Sequence, residues 1–255
     1  MILAIDAGNT NITFALMKGE EVIHSWRHVT SEALDTAVIS EGFKKSGETP
    51  EGLEGGILAS VVPDVSEELK QIFAAVFGRP LMVAGKGGVA LGIEIKTDKP
   101  EEVGADRLIN AVAAAHFFGP PLIVIDIGTA TTFDVVGTDG SFRGGVICAG
   151  ANLGLKALHQ QTAQLPDISV YEPDWVAGKN TVDAMQSGAF FGTLSQIEGL
   201  VKRLRAEVGG KVKTVATGGL AGYFVGKTDA IDHHHPELTL QGLRLVYERN
   251  SGRAE

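Results

Sequence analysis

A single cysteine, Cys148, stands in 255 residues, so no internal disulfide can form and the chain suits a reducing cytosol. Basic side chains are also scarce: 22 Lys and Arg face 31 Asp and Glu, for a formal net charge of −9. A chain of that balance lacks the basic face with which a duplex binder neutralises phosphates, which excludes nucleic acid as an electrostatic partner. No apolar run approaches the ~20 residues of a membrane span. The first residues lack the basic stretch and apolar core of a secretory signal. Together these absences lead to the expectation of a soluble, cytoplasmic protein with no membrane partner. Glycine, in contrast, is plentiful: 33 residues, many paired at predicted strand ends, where a missing side chain lets the backbone turn sharply or approach a ligand. At 44% hydrophobic and 21% charged residues the chain is an ordinary globular one, long enough for one large domain or two small ones.

Alternating and short apolar runs predict strands over Ile2–Asp6, Asn11–Met17 and Val22–Val29, a meander joined by polar turns. Helical spacing follows over Ser31–Lys45, with Ser31 as its cap, and over Asp64–Phe77, capped by Asp64. Between them "GGILASVVP" reads as a buried strand stopped by Pro63, and "LMVAGKGG" as another strand. A helical pattern runs from Lys99 to Phe117, and "GPP" at Gly119–Pro121 marks the best boundary. A second meander (Leu122–Asp126, Thr131–Gly137, Ser141–Ile147) precedes helices over Leu153–Gln164 and Thr181–Val208, the latter capped by Asn180. "KVKTVATGG" reads as a strand, and Leu238–Arg249 as the closing helix.

Both halves thus open alike: strand, Asp-x-Gly turn, two strands, then helix. "MILAIDAGNT" begins the first and "LIVIDIGTATT" the second, with Asp6 and Gly8 answered by Asp126 and Gly128. Duplication explains this better than chance, and gives domains over 1–118 and 119–255. A glycine turn at a strand end exposes successive backbone N–H groups, a nest for phosphate oxygens. Asn9, Thr10, Thr129 and Thr131 add donors, and a carboxylate at each strand end would hold a cation directly or through water. One such turn alone reads better as a tight hairpin capped by its Asp; the pair points to phosphate binding. In "EEVGADRLINA", Asp106 near a helix start is explained by the macrodipole or as an acceptor for a substrate hydroxyl proton. Arg107 would be a forked donor to a carboxylate or phosphate.

Other features read as structural. "DHHHPE" (His233–His235) is a solvated loop lacking companion ligands. Cys148 on an apolar strand is a packing residue, and His116 in "AAAHFF" a core or interface residue at a helix end. Gly218 and Gly219 border an adenine or form a strand-to-helix turn. "AGKGGVALG" lacks the spacing of a P-loop.

Taken in order, "DAGNTNITFAL", "VGADRLINAVAA", "VIDIGTATTFDVV", "GGVICAGANLGLKAL", "NTVDAMQSGAFFG", "VATGGLA" and "LTLQGLRLVYERN" make the chain resemble the type III pantothenate kinases of the acetate and sugar kinase/Hsp70/actin superfamily. The resemblance implies an α/β fold of two duplicated actin/ribonuclease H-like domains, each a mixed sheet flanked by helices, around a central cleft. It implies ATP-dependent phosphorylation of pantothenate to 4′-phosphopantothenate, the first step of coenzyme A biosynthesis, by a homodimer. ATP would be bound by Asp6, Ala7, Gly8, Asn9, Thr10, Asn11, Ile12, Thr13 and Thr129. Pantothenate would be bound by Gly104, Ala105, Asp106, Arg107 and Thr181, with Asp106 catalytic and Thr181 serving a pocket at the subunit interface. Mg²⁺ would accompany ATP at Asp6, through water, and Asp126 would ligate a monovalent cation, K⁺ or NH₄⁺. Thr97 departs from the pattern, standing where many relatives carry an aromatic residue. Two other functions could use the same turns: a nucleotide-binding regulator or interaction module, and a phosphohydrolase in which water replaces pantothenate.

Overall fold

The computed structural model describes residues 1–252. The chain runs β1 (Ile2–Ala7), β2 (Asn11–Lys18), β3 (Glu21–Val29), α1 (Thr36–Ser46), β4 (Gly55–Ser60), α2 (Pro63–Phe77), β5 (Met82–Val83) and α3 (Ala105–Phe118). It continues with β6 (Leu122–Ile127), β7 (Ala130–Val136), β8 (Phe142–Ala149), α4 (Ala151–Gln161), α5 (Thr181–Val208), β9 (Lys213–Thr217), α6 (Ala221–Phe224), β10 (His233–His234) and α7 (Leu238–Asn250). Two compact units result. The first holds Met1–Ile93, Asp98–Ala113 and the residues from Glu237 on; the second holds Glu94–Thr97 and Ala114–Pro236.

In the first unit the sheet order is β3-β2-β1-β4-β5. β1 to β3 form the expected antiparallel meander, and β4 joins β1 in parallel. Five of the six β1 residues are buried because both faces of this central strand are covered. Leu3 and Ile5 pack, with Phe14 and Leu58, under α1 and α2 through Ile39, Phe43, Leu69 and Phe73. Ile2 and Ala4 face the other way, onto Ile109 and Val112 of α3 and Leu243, Val246 and Tyr247 of α7. The last helix of the chain thereby returns to the first sheet. Gly242 permits this, since a Cβ there would collide with the Ile109 carbonyl of α3.

The second unit repeats the pattern. Its order, β10-β9-β6-β7-β8, read from the opposite edge matches the first sheet strand for strand: an antiparallel β6-β7-β8 meander with β9 added in parallel. Ile123, Ile125 and Ile127 point onto α4 and α5, where Leu155, Phe190, Ile197 and Val201 complete the core.

Several local expectations shift. Asp35, not Ser31, caps α1, accepting from the N–H groups of Ala37 (2.8 Å) and Val38 (3.3 Å). Asp64 does not cap α2: Pro63 occupies the first helical position after Val62, and Asp64 stands inside the first turn, where the helix dipole still favours it. The helix expected from Lys99 begins at Ala105, after a short 3-10 turn over Pro100–Glu102. His116 is exposed, edge-on to Phe117, rather than in a core. The histidine run forms a two-residue edge strand: His233 stacks on Phe118 and His235 tilts over Phe117. Asn180 caps α5 as expected, its Oδ1 accepting from the Asp183 N–H at 2.9 Å.

Candidate functional site

In the first unit, Asp6 is the penultimate residue of β1, half-buried, opposite Thr13 of β2 and beside Ala59 of β4. The hairpin beyond it is closed by the Gly8 N–H donating to the Asn11 carbonyl at 3.0 Å. Thr30 braces it from β3's end, its hydroxyl donating to the Gly8 carbonyl (2.8 Å) and its N–H to the Thr10 carbonyl (3.0 Å). Asn9, Thr10 and Asn11 are left exposed at the tip, whereas Ala7 and Ile12 are buried. A ligand at this turn therefore meets backbone and the three polar tip side chains.

The "GADR" turn lies at the start of α3. The Asp106 carboxylate folds back over Gly104: its Oδ1 accepts the Arg107 N–H at 2.8 Å and lies 2.5 Å from where a Cβ on Gly104 would be. Val61, just past β4, joins this turn to the hairpin. Its N–H donates to the Ala7 carbonyl at 3.2 Å, and its Cγ1 lies 3.7 Å from that same Gly104 position. Segments almost a hundred residues apart in sequence thus meet at the carboxyl ends of the parallel strands β1 and β4. Open α/β sheets bind their ligands at such ends.

In the second unit, Asp126 holds the equivalent place on β6, paired with Thr132 of β7 and Thr217 of β9. The Gly128 N–H donates to the Ala130 carbonyl (2.9 Å), closing the turn. Gly150, which precedes α4, backs it, donating its N–H to the Thr129 carbonyl at 3.1 Å. A Cβ on Gly150 would come 2.5 Å from that oxygen. Gly218 follows β9 in the left-handed region, φ +93°. A Cβ there would overlap Asp126 Oδ1 and sit 2.7 Å from Ile127 N and O. The backbone after β9 thus packs so closely against Asp126 and Ile127 that only a glycine fits beside the carboxylate.

Thr181 opens α5 and lines a cavity of about 660 Å³ between α4 and α5. Gly150, which backs the second turn, lines the same cavity. Two contributors escaped sequence reasoning: Val61 carries no signal, and Gly150 shows only as a glycine before a helix. Gly218 does stand in a strand-to-helix turn, between β9 and α6, but its approach to Asp126 has no sequence signal.

Asp139 is held well below the usual carboxylate range, chiefly by the Lys96 ammonium (2.8 Å), then by the Ser141 hydroxyl and N–H and by Arg143. Burial pushes the Cys148 thiol up, in keeping with its packing against the core beneath α4 and α5. No helix among the described residues is long and apolar enough to cross a membrane.

A family model described as type III pantothenate kinase matches residues 2–203. Two curated proteins named type III pantothenate kinase align over almost the whole chain. One, from Rhodospirillum centenum, is 45% identical over 99% of this chain and 100% of its own. Another, from Rhodospirillum rubrum, is 47% identical over 98% and 99%. Among solved structures, a protein of Campylobacter jejuni described as a Baf family transcriptional activator superposes with a TM-score of 0.62 at 18% identity, covering 98% of this chain and 99% of its own. Component A of the (R)-2-hydroxyglutaryl-CoA dehydratase of Acidaminococcus fermentans does so with a TM-score of 0.52 at 15% identity, covering 99% of each. At those identities the structural likeness speaks for the fold.

Proposed function

The chain belongs to the type III pantothenate kinase family, and from that premise we propose that it phosphorylates pantothenate with ATP, giving 4′-phosphopantothenate for coenzyme A biosynthesis. The observation that carries the reading is the Val61 junction, which sets the Asp6 hairpin and the Asp106 turn at one end of one sheet. A phosphate-binding turn and a hydroxyl acceptor are the two parts a small-molecule kinase needs close together.

Phosphoryl transfer passes through a loose transition state, so alignment and charge stabilisation matter more than a strong base. Asp106 orients the pantothenate hydroxyl in line with the γ-phosphate and accepts its proton late in the transfer. Gly104 and Ala105 present that carboxylate, and Arg107 pairs with the pantothenate carboxylate through its forked donors. Asp6, Ala7, Gly8, Asn9, Thr10, Asn11, Ile12 and Thr13 form the first ATP loop, in which the buried Ala7 and Ile12 contribute backbone. Thr129 supplies a second ATP contact. Asp6 would hold Mg²⁺ through water, as a single carboxylate at a strand end suits that ion. When bound, the ion neutralises charge developing on the phosphate oxygens. Asp126, near the end of β6, would hold K⁺ or NH₄⁺. Thr181 reaches pantothenate within a homodimer.

Mass spectrometry of the product formed from ATP and pantothenate tests the activity directly, with phosphopantothenate expected. ADP release should depend strictly on pantothenate. Equal release without it would make the protein a hydrolase, and none under either condition would make it a binding module.

A further inference from the structure

Between β4 and α2 the chain turns a corner with few capping groups of its own. Val62, which precedes the helix, has no side chain that can cap, and Pro63 at the first helical position has no N–H to give. The Ser60 hydroxyl supplies what these residues lack. It donates to the Val62 carbonyl at 3.0 Å and accepts the Val62 N–H at 3.1 Å. One hydroxyl, donor and acceptor at once, thus closes a clasp across Val61.

Val61 is the residue that links the Asp6 hairpin to the Asp106 turn. On one side it extends the parallel ladder in which Ser60 pairs with Ala7, its N–H donating to the Ala7 carbonyl at 3.2 Å. On the other, its Cγ1 lies 3.7 Å from the Cβ position of Gly104, over which the Asp106 carboxylate folds. A bond of 3.2 Å is at the long end of the N–H···O range, so the ladder alone grips Val61 weakly. The Ser60 clasp fixes the backbone torsions of Val61, and with them the direction of its side chain.

Ser66 offers a contrast within the same corner. Its hydroxyl also donates to the Val62 carbonyl, at 2.9 Å, but that carbonyl already accepts the Ser66 N–H at 3.1 Å. Ser66 is buried in α2 and takes nothing from the Val62 N–H. It secures the helix, whereas Ser60 secures the corner.

We propose that Ser60 is a positioning residue for phosphoryl transfer. By clasping Val62 it holds Val61, and through Val61 it sets the Asp106 turn at its working distance from the Asp6 hairpin. Ser60 acts without touching either substrate. A transfer that depends on alignment more than on a strong base is sensitive to such a brace. The inference rests on the reading above of Asp106 as the acceptor of the substrate's proton, and names the residue that keeps it in place.

Steady-state kinetics and thermal denaturation of the full chain test it with the wild type, Ser60→Ala, Ser60→Thr and Ser66→Ala. Ser60 is half-buried at the strand's end, so removing its hydroxyl spares the fold. Ser60→Ala leaves the Val62 N–H to recruit water and lets Val61 drift, and kcat should fall by about 10–100-fold, the effect of a displacement of roughly 1 Å. KM for ATP and for pantothenate should keep their wild-type values, since each binding loop is intact and only their alignment is lost. Ser60→Thr keeps the hydroxyl on a residue that strands favour and should restore most of the turnover. Ser66→Ala should lower Tm while leaving kcat unchanged. A wild type that forms no phosphopantothenate overturns the kinase reading, and this inference with it. With an active wild type, four results overturn the role of Ser60 and leave the reading of Asp106 intact. They are an unchanged kcat in Ser60→Ala, a raised KM in place of a lowered kcat, no recovery in Ser60→Thr, or an equal loss of kcat in Ser66→Ala.

Discussion

Replacing Gly218 with alanine isolates the role of Asp126. The residue holds φ +93°, a conformation that costs an L side chain about 1–2 kcal/mol. The added methyl would sit 2.7 Å from Ile127 N and O, where ordinary contact begins near 3.4 Å, so that backbone must yield by about 0.7 Å. It would also overlap Asp126 Oδ1 and displace the carboxylate. Overpacking of this size costs about 1–3 kcal/mol. The two together, about 2–5 kcal/mol, should lower Tm by roughly 5–15 °C for a chain of this length. Displacement of a ligand's supporting shell typically weakens a metal site by about 10–100-fold, so the K⁺ or NH₄⁺ concentration for half-maximal rate should rise by at least about tenfold. Gly219→Ala is the internal control, because nothing lies within 4 Å of its Cβ position and its φ is not left-handed. The assays are thermal denaturation and pantothenate-dependent ADP release titrated with KCl and NH₄Cl. Unchanged melting and an unchanged cation titration in Gly218→Ala, or equal damage from Gly219→Ala, would refute the packing argument.

Asp106→Asn keeps the size of the side chain and should leave Tm unchanged while lowering kcat by about 10²–10⁴-fold; near-normal turnover removes Asp106 from the mechanism. Asp126→Ala should flatten the dependence of rate on monovalent cation, measured across the same salt titration, and a wild-type response would count against that ligand. The Asp139 carboxyl is depressed by Lys96 and Ser141, so its contribution to stability is fully present above the ordinary aspartate range and is lost as pH falls through it. The Tm difference between wild type and Asp139→Asn should accordingly be small at pH 7, since the group is exposed, and shrink further towards about pH 2. A difference that grows on acidification would reverse the sign of that linkage.

Legibility in the sequence followed range. The Asn180 cap and α5 came directly from a polar residue before a long helical pattern, because a cap is an interaction across three residues. Ser31 and Asp64 misled for a related reason. In "SEALDT" two capping residues compete, and Asp35 is the one adjacent to the first helical turn. At "VPDV", proline fixes the first helical position and moves the cap ahead of Asp64. The histidine run showed no alternating pattern, and its pairing beside β9 depends on a partner strand far from it in sequence.

The duplicated opening was present in the letters themselves. An apolar strand ending in Asp-x-Gly encodes its own hairpin, since strand alternation and turn chemistry act between near neighbours, and two copies produced two sheets of one topology. Only packing decided that Val61 would join the Asp6 hairpin to the Asp106 turn, that Gly218 would lie against Asp126, and that α7 would cover the first sheet instead of the second. Those contacts lie between residues far apart along the chain. Burial of whole helix faces selects them, and no short stretch carries enough apolar area to announce which distant face it will meet.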